Sequence, residues 1–171
     1  CEHGDWHHAI SNCDPLEYIA SMFSEAMPVM VAEKLLDLEV PRRADYIRVL
    51  AWELNRISSH LVAIATGGME IGALTLMTIG FREREMTLDL FELITGLRMN
   101  HAFIRPGGVA QDLPPGALDK IRDYITWMNK HLPEYAELQE MFAPAFLRAT
   151  AEQREAIKRL AWFSTEFGLI R

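Results

Sequence analysis

The chain has 171 residues, of which 50% are hydrophobic, 24% charged and 9% aromatic. That is ordinary globular composition, which predicts one domain with a full core and excludes disordered, collagenous and disulfide-scaffold classes. Its 17 basic and 24 acidic residues leave a net charge of −7, the opposite of the basic surplus of nucleic-acid binders, so no nucleic-acid partner is expected. Only two cysteines occur, Cys1 and Cys13, and no apolar run reaches the roughly 18 uncharged residues of a membrane helix. No signal-peptide pattern opens the chain, and a reducing compartment is expected.

In chain order, residues 1–12 show no periodicity and are expected to be irregular. Asp14-Pro15-Leu16-Glu17 predicts a helix start, with Asp14 as cap and Pro15 at the first helical position. The helix should reach about Leu38 and bury Leu16, Ile19, Phe23, Met27, Met30, Val31 and Leu35, with a kink or break just before Pro28. Pro41 opens a second helix in which Ile47, Leu50, Leu54, Ile57, Leu61 and Ile64 recur every three or four residues. Gly67-Gly68 is expected to end it. A third helix, about Leu74 to Arg98, carries Met77, Phe81, Leu88, Phe91 and Thr95 on one side and Arg82-Glu83-Arg84-Glu85 in its middle. Pro106-Gly107-Gly108 and Pro114-Pro115 mark a loop or small hairpin near 99–114. A fourth helix starts near Pro115 and runs through Ile121, Ile125 and Met128, with Pro133 expected to bend or divide it. Thr150 and Gln153 form a capping box for a last helix through Ile157, Leu160, Phe163 and Phe167. The fold class is therefore all-α, a bundle of four to five helices with a short loop or hairpin. An irregular segment 1–12 precedes the core at 13–149, and a C-terminal helix follows at 150–171.

Glu53, Arg56 and His60 fall on one ridge of the second helix, either a solvated ion-pair ridge or part of a site. His60 has no ligand partner at i+4, so it does not read as a metal site. The Arg82–Glu85 run can pair with itself and with Asp89 or Glu92, or can meet another subunit. Glu70 stands alone among Gly67, Gly68, Met69, Ile71, Gly72 and Ala73. Buried, it would hold a proton near neutral pH; at an exposed turn it would not, and both readings stay open. Cys1, His3, His7, His8 and Cys13 crowd the amino terminus without a zinc spacing, so no metal is expected. Triad, P-loop, dinucleotide and C-x-x-C motifs are absent, and chemistry completed within this one chain is not expected.

Several motifs are specific when taken together. They are Ala32-Glu33-Lys34-Leu35-Leu36, Pro41, Ile47-Arg48-Val49, Glu53-Leu54-Asn55-Arg56, His60, Gly67 to Ala73, Phe81 to Glu85, Gly96-Leu97-Arg98-Met99, Ile104 to Val109 and Asp112-Leu113-Pro114. In this order and spacing the sequence resembles the quinone-site D subunit of respiratory complex I, the NADH-quinone oxidoreductase, over roughly residues 13–149. The match spans well under half of that family's length. The family's upstream His-Pro-Ser-Thr-His loop and its C-terminal half have no counterpart, so the resemblance implies a fragment or short form. It implies that Tyr18 donates a hydrogen bond to the quinone head group, and that Glu70 takes the place of an aspartate linked to the quinone-site histidine. It also puts His60, Asn100, His101 and Arg105 among the quinone-binding or cluster-proximal positions. The family often has a histidine where Asn100 stands, an arginine where Pro15 stands, and a helix-compatible residue at Pro28.

The resemblance further implies that electrons reach quinone, the substrate, from an iron–sulfur cluster on a partner subunit, coupled to proton translocation. The cluster, NAD and FMN would sit on partners, with no cofactor bound by this chain, which alone would be inactive. The location implied is peripheral, on the cytoplasmic side of a bacterial cell membrane, with membrane contact through the other complex I subunits. An isolated chain is then expected to show an exposed apolar patch or self-association. The competing reading is a non-catalytic helical interaction module or remnant. The related nickel–iron hydrogenase large subunit is excluded by the missing paired C-x-x-C ligands.

Overall fold

The computed structural model describes residues 6–70 and 72–154. Its elements are α1 (Trp6–Cys13), a 3-10 turn (Asp14–Leu16), α2 (Ser21–Leu36), α3 (Arg42–Glu70), α4 (Leu74–Thr95), β1 (Ile104–Arg105), β2 (Gly108–Val109) and α5 (Ala117–Arg148). Among the described residues the fold is all-α apart from one antiparallel hairpin, which pairs Ile104 with Val109 and Arg105 with Gly108. The hairpin lies where Pro106-Gly107-Gly108 predicts a turn. The residues group into two compact units, one of residues up to 59 and 86–122, the other of residues 60–85 and 123 onward.

The helix expected from Asp14 does not begin there. Asp14–Leu16 form a 3-10 turn, Glu17 is extended at φ −141°, and α2 starts only at Ser21. Tyr18 therefore sits in a bend between helical segments. Pro28 lies inside α2 without ending it, because side chains on both sides of it, Glu25, Ala26, Val29, Ala32 and Glu33, are held in the interior. The face of α2 is also the reverse of the expected one. Met22, Glu25, Ala26, Val29, Ala32 and Glu33 are buried, whereas Leu16, Ile19, Phe23, Met27, Met30, Val31 and Leu35 are exposed, Leu35 to 73%. The exposed apolar patch expected of this chain is thus present, and it runs along α2.

Further differences have local causes. The stretch 1–12, expected to be irregular, is helical from Trp6. α3 passes through Gly67-Gly68 and ends at Glu70, where Gly72 takes φ +91°. Gly72 N–H donates to Met69 O at 3.0 Å and Ala73 N–H to Gly68 O at 2.8 Å, the paired bonds that close a helix with a left-handed glycine. Gly68 serves packing instead, since a Cβ there would lie 2.6 Å from Leu76 Cβ. α4 ends at Thr95, three residues short of expectation, at Gly96 with φ +83°. α5 continues through Pro133 and Pro144 without dividing.

In the second unit, Glu83 of the charged run is fully buried and accepts a hydrogen bond from Arg82 Nη2 at 2.6 Å. Arg82 also approaches Glu134 at 3.8 Å and lies over the Trp127 ring. The Thr150–Gln153 capping box forms as expected, with Thr150 N–H donating to Gln153 Oε1 at 2.8 Å and Gln153 N–H to Thr150 Oγ1 at 3.3 Å. The rest of the last predicted helix lies outside the described residues, as do Cys1 and His3. No helix among the described residues is long and apolar enough to cross a membrane.

The two adjacent glycines of α3 should respond oppositely to the same substitution. Nothing lies within 4 Å of a Cβ built on Gly67, so Gly67→Ala should stabilise the helix by about 0.5–1 kcal/mol. Gly68→Ala drives its methyl into Leu76 and should destabilise by about 1–3 kcal/mol. Urea denaturation of the two variants checks the sign of each.

Candidate functional site

The first unit is organised around the hairpin, and α2 carries the side chains that hold it. Glu33 and Arg48 form a buried ion pair, with Arg48 Nη1 donating to Glu33 Oε2 at 3.1 Å and Nη2 to Oε1. The same guanidinium donates from Nε and Nη2 to Gly108 O at 3.0 and 2.8 Å and from Nη2 to Arg105 O at 2.9 Å. Glu33 Oε1 also accepts Gly107 N–H at 2.8 Å. Burial opposes ionisation of Glu33, but the Arg48 hydrogen bonds and the Gly107 N–H outweigh it and hold the carboxyl below its ordinary range. The planar guanidinium is suited to this, because its rigid fork can bridge a carboxylate and two carbonyls at once.

About two turns earlier on α2, Glu25 is fully buried and its Oε2 accepts the N–H groups of Phe103 at 2.7 Å and Ile104 at 2.8 Å. Asp14, 2% exposed, accepts Ala102 N–H on Oδ2 at 3.2 Å. These bonds fix a backbone in which Asn100 and Ala102 have φ of +55° and +44°. For residues other than glycine that region costs roughly 1–2 kcal/mol and persists only where surroundings enforce it.

Tyr18 is exposed to 61% and sits between two fixed points. Upstream, Asp14 is tied to Ala102. Downstream, Asn55 of α3 accepts Met22 N–H on Oδ1 at 3.2 Å and donates from Nδ2 to Ile19 O at 3.4 Å. Ala20 offers α2 no side-chain cap, so Asn55 satisfies an otherwise orphaned first-turn donor from another element. Trp52 Nε1 donates to Met22 O at 3.2 Å, and its ring stacks on Phe23 at 6.2 Å. The bend thus presents a phenol on a fixed backbone beside exposed Leu16, Ile19 and Phe23. A neutral phenol there can donate a hydrogen bond to a carbonyl oxygen and surrender a proton to it.

The other predicted residues divide between the units. Glu53 and Arg56 form an exposed ion pair at 2.9 Å, the solvated ridge. Asn100 and Arg105 are exposed, and Arg105 Nε donates to Ala102 O at 3.1 Å. His101 is buried against Phe91, ring centroids 4.9 Å apart, with Nδ1 3.0 Å from Leu97 O. A carbonyl only accepts, so Nδ1 carries the proton. Burial holds the ring neutral, pushing its pKa down to about 4 against the opposing Leu97 bond. His60 and Glu70 belong to the second unit and are exposed, Glu70 as the last residue of α3. The exposed-turn reading of Glu70 is the one realised. Among the described residues no group of three or more His, Cys, Asp or Glu could hold a metal ion.

Comparison with known proteins follows the same residues. A family profile described as "Respiratory-chain NADH dehydrogenase, 49 Kd subunit" matches residues 70–145, a stretch that includes Glu70, Asn100, His101 and Arg105. The D subunit of NADH-quinone oxidoreductase from Nocardioides sp. is 65% identical over 139 residues, covering 80% of this chain and 31% of that protein. The chain is a partial match to the D-subunit family. The D 2 subunit of Streptomyces coelicolor is 58% identical over 80% of this chain and 32% of its own length, and the D subunit of Rhodococcus jostii 53% over the same shares. The chain spans about a third of the length of these D-subunit relatives.

Sequence reasoning makes Asp14 a helix cap and gives no individual role to Glu25, Glu33, Arg48 or Asn55, although the last three lie in the D-subunit motifs. A signal for the glutamates is present. Glu25 and Glu33 share the 3.6-residue rhythm of Met22, Ala26, Val29 and Ala32, so two acids interrupt an apolar face. Removing one side of the buried pair, as in Arg48→Met, leaves Glu33 charged and unpaired and should destabilise the protein by about 3–5 kcal/mol. Glu53→Gln on the exposed ridge should change stability by less than about 0.5 kcal/mol. Chemical denaturation of the two variants measures the contrast.

Proposed function

We propose that the chain supplies the Tyr18-bearing wall of a quinone site in an NADH-quinone oxidoreductase, where electrons from an iron–sulfur cluster on a partner subunit reduce quinone. The observation that carries this reading is the exposed Tyr18 phenol, held on a bend pinned by Asp14 and Asn55, in a chain that matches D-subunit relatives over four fifths of its length. The phenol donates to a quinone carbonyl oxygen, and two electrons with two protons convert the quinone to quinol. Tyr18 delivers one proton to the oxygen it bonds and is reprotonated from solvent, and the second proton reaches the other quinone oxygen from solvent. Asn100, His101 and Arg105, in the same unit as Tyr18, belong to the quinone-binding or cluster-proximal positions in this reading. His101 acts as a neutral group, in keeping with its burial.

Redox cofactors belong to the partners, which are other subunits of the same complex, and coupling to proton translocation belongs to the whole assembly. The exposed apolar face of α2, Phe23, Met27, Met30, Val31 and Leu35, supports a chain built to be covered by such partners. The assembly would lie peripherally on the cytoplasmic side of the membrane.

Tyr18→Phe, introduced into the full oxidoreductase that carries this sequence, should lower quinone reductase turnover by about 10²-fold at saturating quinone. NADH oxidation with an artificial acceptor should be unchanged. Wild-type quinone turnover in the variant would remove Tyr18 from the reaction.

A further inference from the structure

Asp14 and Glu25 face each other with almost no solvent, 2% and 0% exposed. Three backbone N–H groups reach the pair, one to Asp14 Oδ2 and two to Glu25 Oε2. The remaining oxygens, Asp14 Oδ1 and Glu25 Oε1, are buried and accept no hydrogen bond from another residue, and each carboxyl lies near enough to the other to perturb its ionisation. Two carboxylates cannot bond to one another, because both only accept; the two oxygens can satisfy each other only if one of the acids carries a proton. The nearby cations of α3 and the hairpin are committed to other acceptors. Arg48 is committed to Glu33 and the hairpin carbonyls, Arg105 Nε bonds Ala102 O, His101 is neutral, and His8 of α1 is exposed.

We propose that Asp14 and Glu25 hold one proton between them, and that this proton fastens the turn leading to Tyr18 onto the backbone entering the hairpin. Glu25 is then a positioning residue for Tyr18, a role that rests on the quinone-site reading, whereas the shared proton itself does not. Glu25 Oε1–H donates to ionised Asp14 Oδ1, which leaves Oε2 free to accept from Phe103 and Ile104. Loss of the proton puts two negative charges in one dry space, and the two sides must part. Burial, followed by the Asp14 hydrogen bond, pushes Glu25 up to about 8; burial also raises Asp14, against its bonds to Glu25 and Ala102.

The sign of the pH dependence follows. Above the ordinary carboxylate value of 4.5 the unfolded chain releases this proton while the folded chain keeps it. Stability is therefore lost as pH rises to about 8 and levels off beyond.

The test uses the full 171-residue chain. Infrared spectra at pH 7 should show a deuterium-sensitive protonated-carboxyl band that is missing from Glu25→Gln and displaced in frequency in Asp14→Asn, where Glu25 stays buried but loses its carboxylate acceptor. The folded-to-unfolded ratio of wild type should fall relative to Glu25→Gln by up to about ten-fold per pH unit between pH 5 and 8. A carbon-13 signal from the Tyr18 ring, assigned by its loss in Tyr18→Phe, should move as pH passes about 8 in wild type but not in Glu25→Gln. If neither variant folds, the wild-type band should itself disappear as pH passes about 8. A wild type with no such band at pH 7, a band unmoved by Asp14→Asn, or a stability profile parallel to that of Glu25→Gln would overturn the shared proton. A Tyr18 signal indifferent to that titration would overturn the positioning role. Tyr18→Phe leaves the band and the stability slope intact, so failure of the quinone reading is separately visible.

Discussion

The buried Glu33–Arg48 pair is the interaction on which the first unit depends. Removing two charges from water costs several kcal/mol per ion, and their attraction offsets this only where the leftover donors and acceptors are also satisfied. Here they are satisfied by the hairpin itself, through Arg105 O, Gly107 N–H and Gly108 O. A hairpin with two residues per strand has no independent stability in water, so pair and hairpin form together. Gly108 is the geometric condition. At φ +154° it brings its carbonyl to Arg48, and a Cβ there would lie 3.2 Å from Ala44 Cβ.

Once the hairpin is seated, its entering strand offers a row of backbone donors to α2. Phe103 and Ile104 N–H point at Glu25, Ala102 N–H at Asp14, and Gln111 Nε2 on the far side reaches Ile94 O at 2.6 Å. α2 therefore buries a face on which acids meet peptide N–H groups, and turns its larger apolar residues outward. That inversion is costly for a helix in isolation, since exposed Met27, Met30 and Leu35 forgo about 25 cal/mol for each square ångström left in water. It makes sense where the outward face has something else to bury it.

The helices most legible in the sequence are those whose apolar rhythm matches what they pack against. α3 begins just after Pro41 and buries Ile47, Leu54 and Leu61 as its periodicity requires, and the Thr150–Gln153 box forms because its two bonds are local. Counting apolar residues turns α2 inside out because it treats Glu25 and Glu33 as surface, and only the hairpin, about 75 residues away, makes burial of those acids favourable. Gly67-Gly68 reads as a stop because flexibility and close approach look alike in a sequence. The contact of Gly68 with Leu76 lies in tertiary packing. Tyr18 is reached through family motifs, since nothing in its helical phase distinguishes it.

Asp14 shows how local and tertiary demands compete. As a cap, its carboxylate would serve the first N–H groups of a helix starting at Pro15, an arrangement worth about 1 kcal/mol. In the structure the carboxylate serves Ala102 N–H and Glu25 instead, and the helix is delayed to Ser21, where Asn55 caps it from α3. The delay is what creates the bend. Had Asp14 capped, Tyr18 would occupy a helical first turn, its orientation set by helix phase. Because the acid is drawn into the interior, Tyr18 is carried on a short non-helical span anchored at both ends, and its position answers to the hairpin through Ala102 and to α3 through Asn55. A residue that must present one hydroxyl to a ligand gains from that arrangement, because its orientation is fixed by two packed elements rather than by the fraying end of one helix.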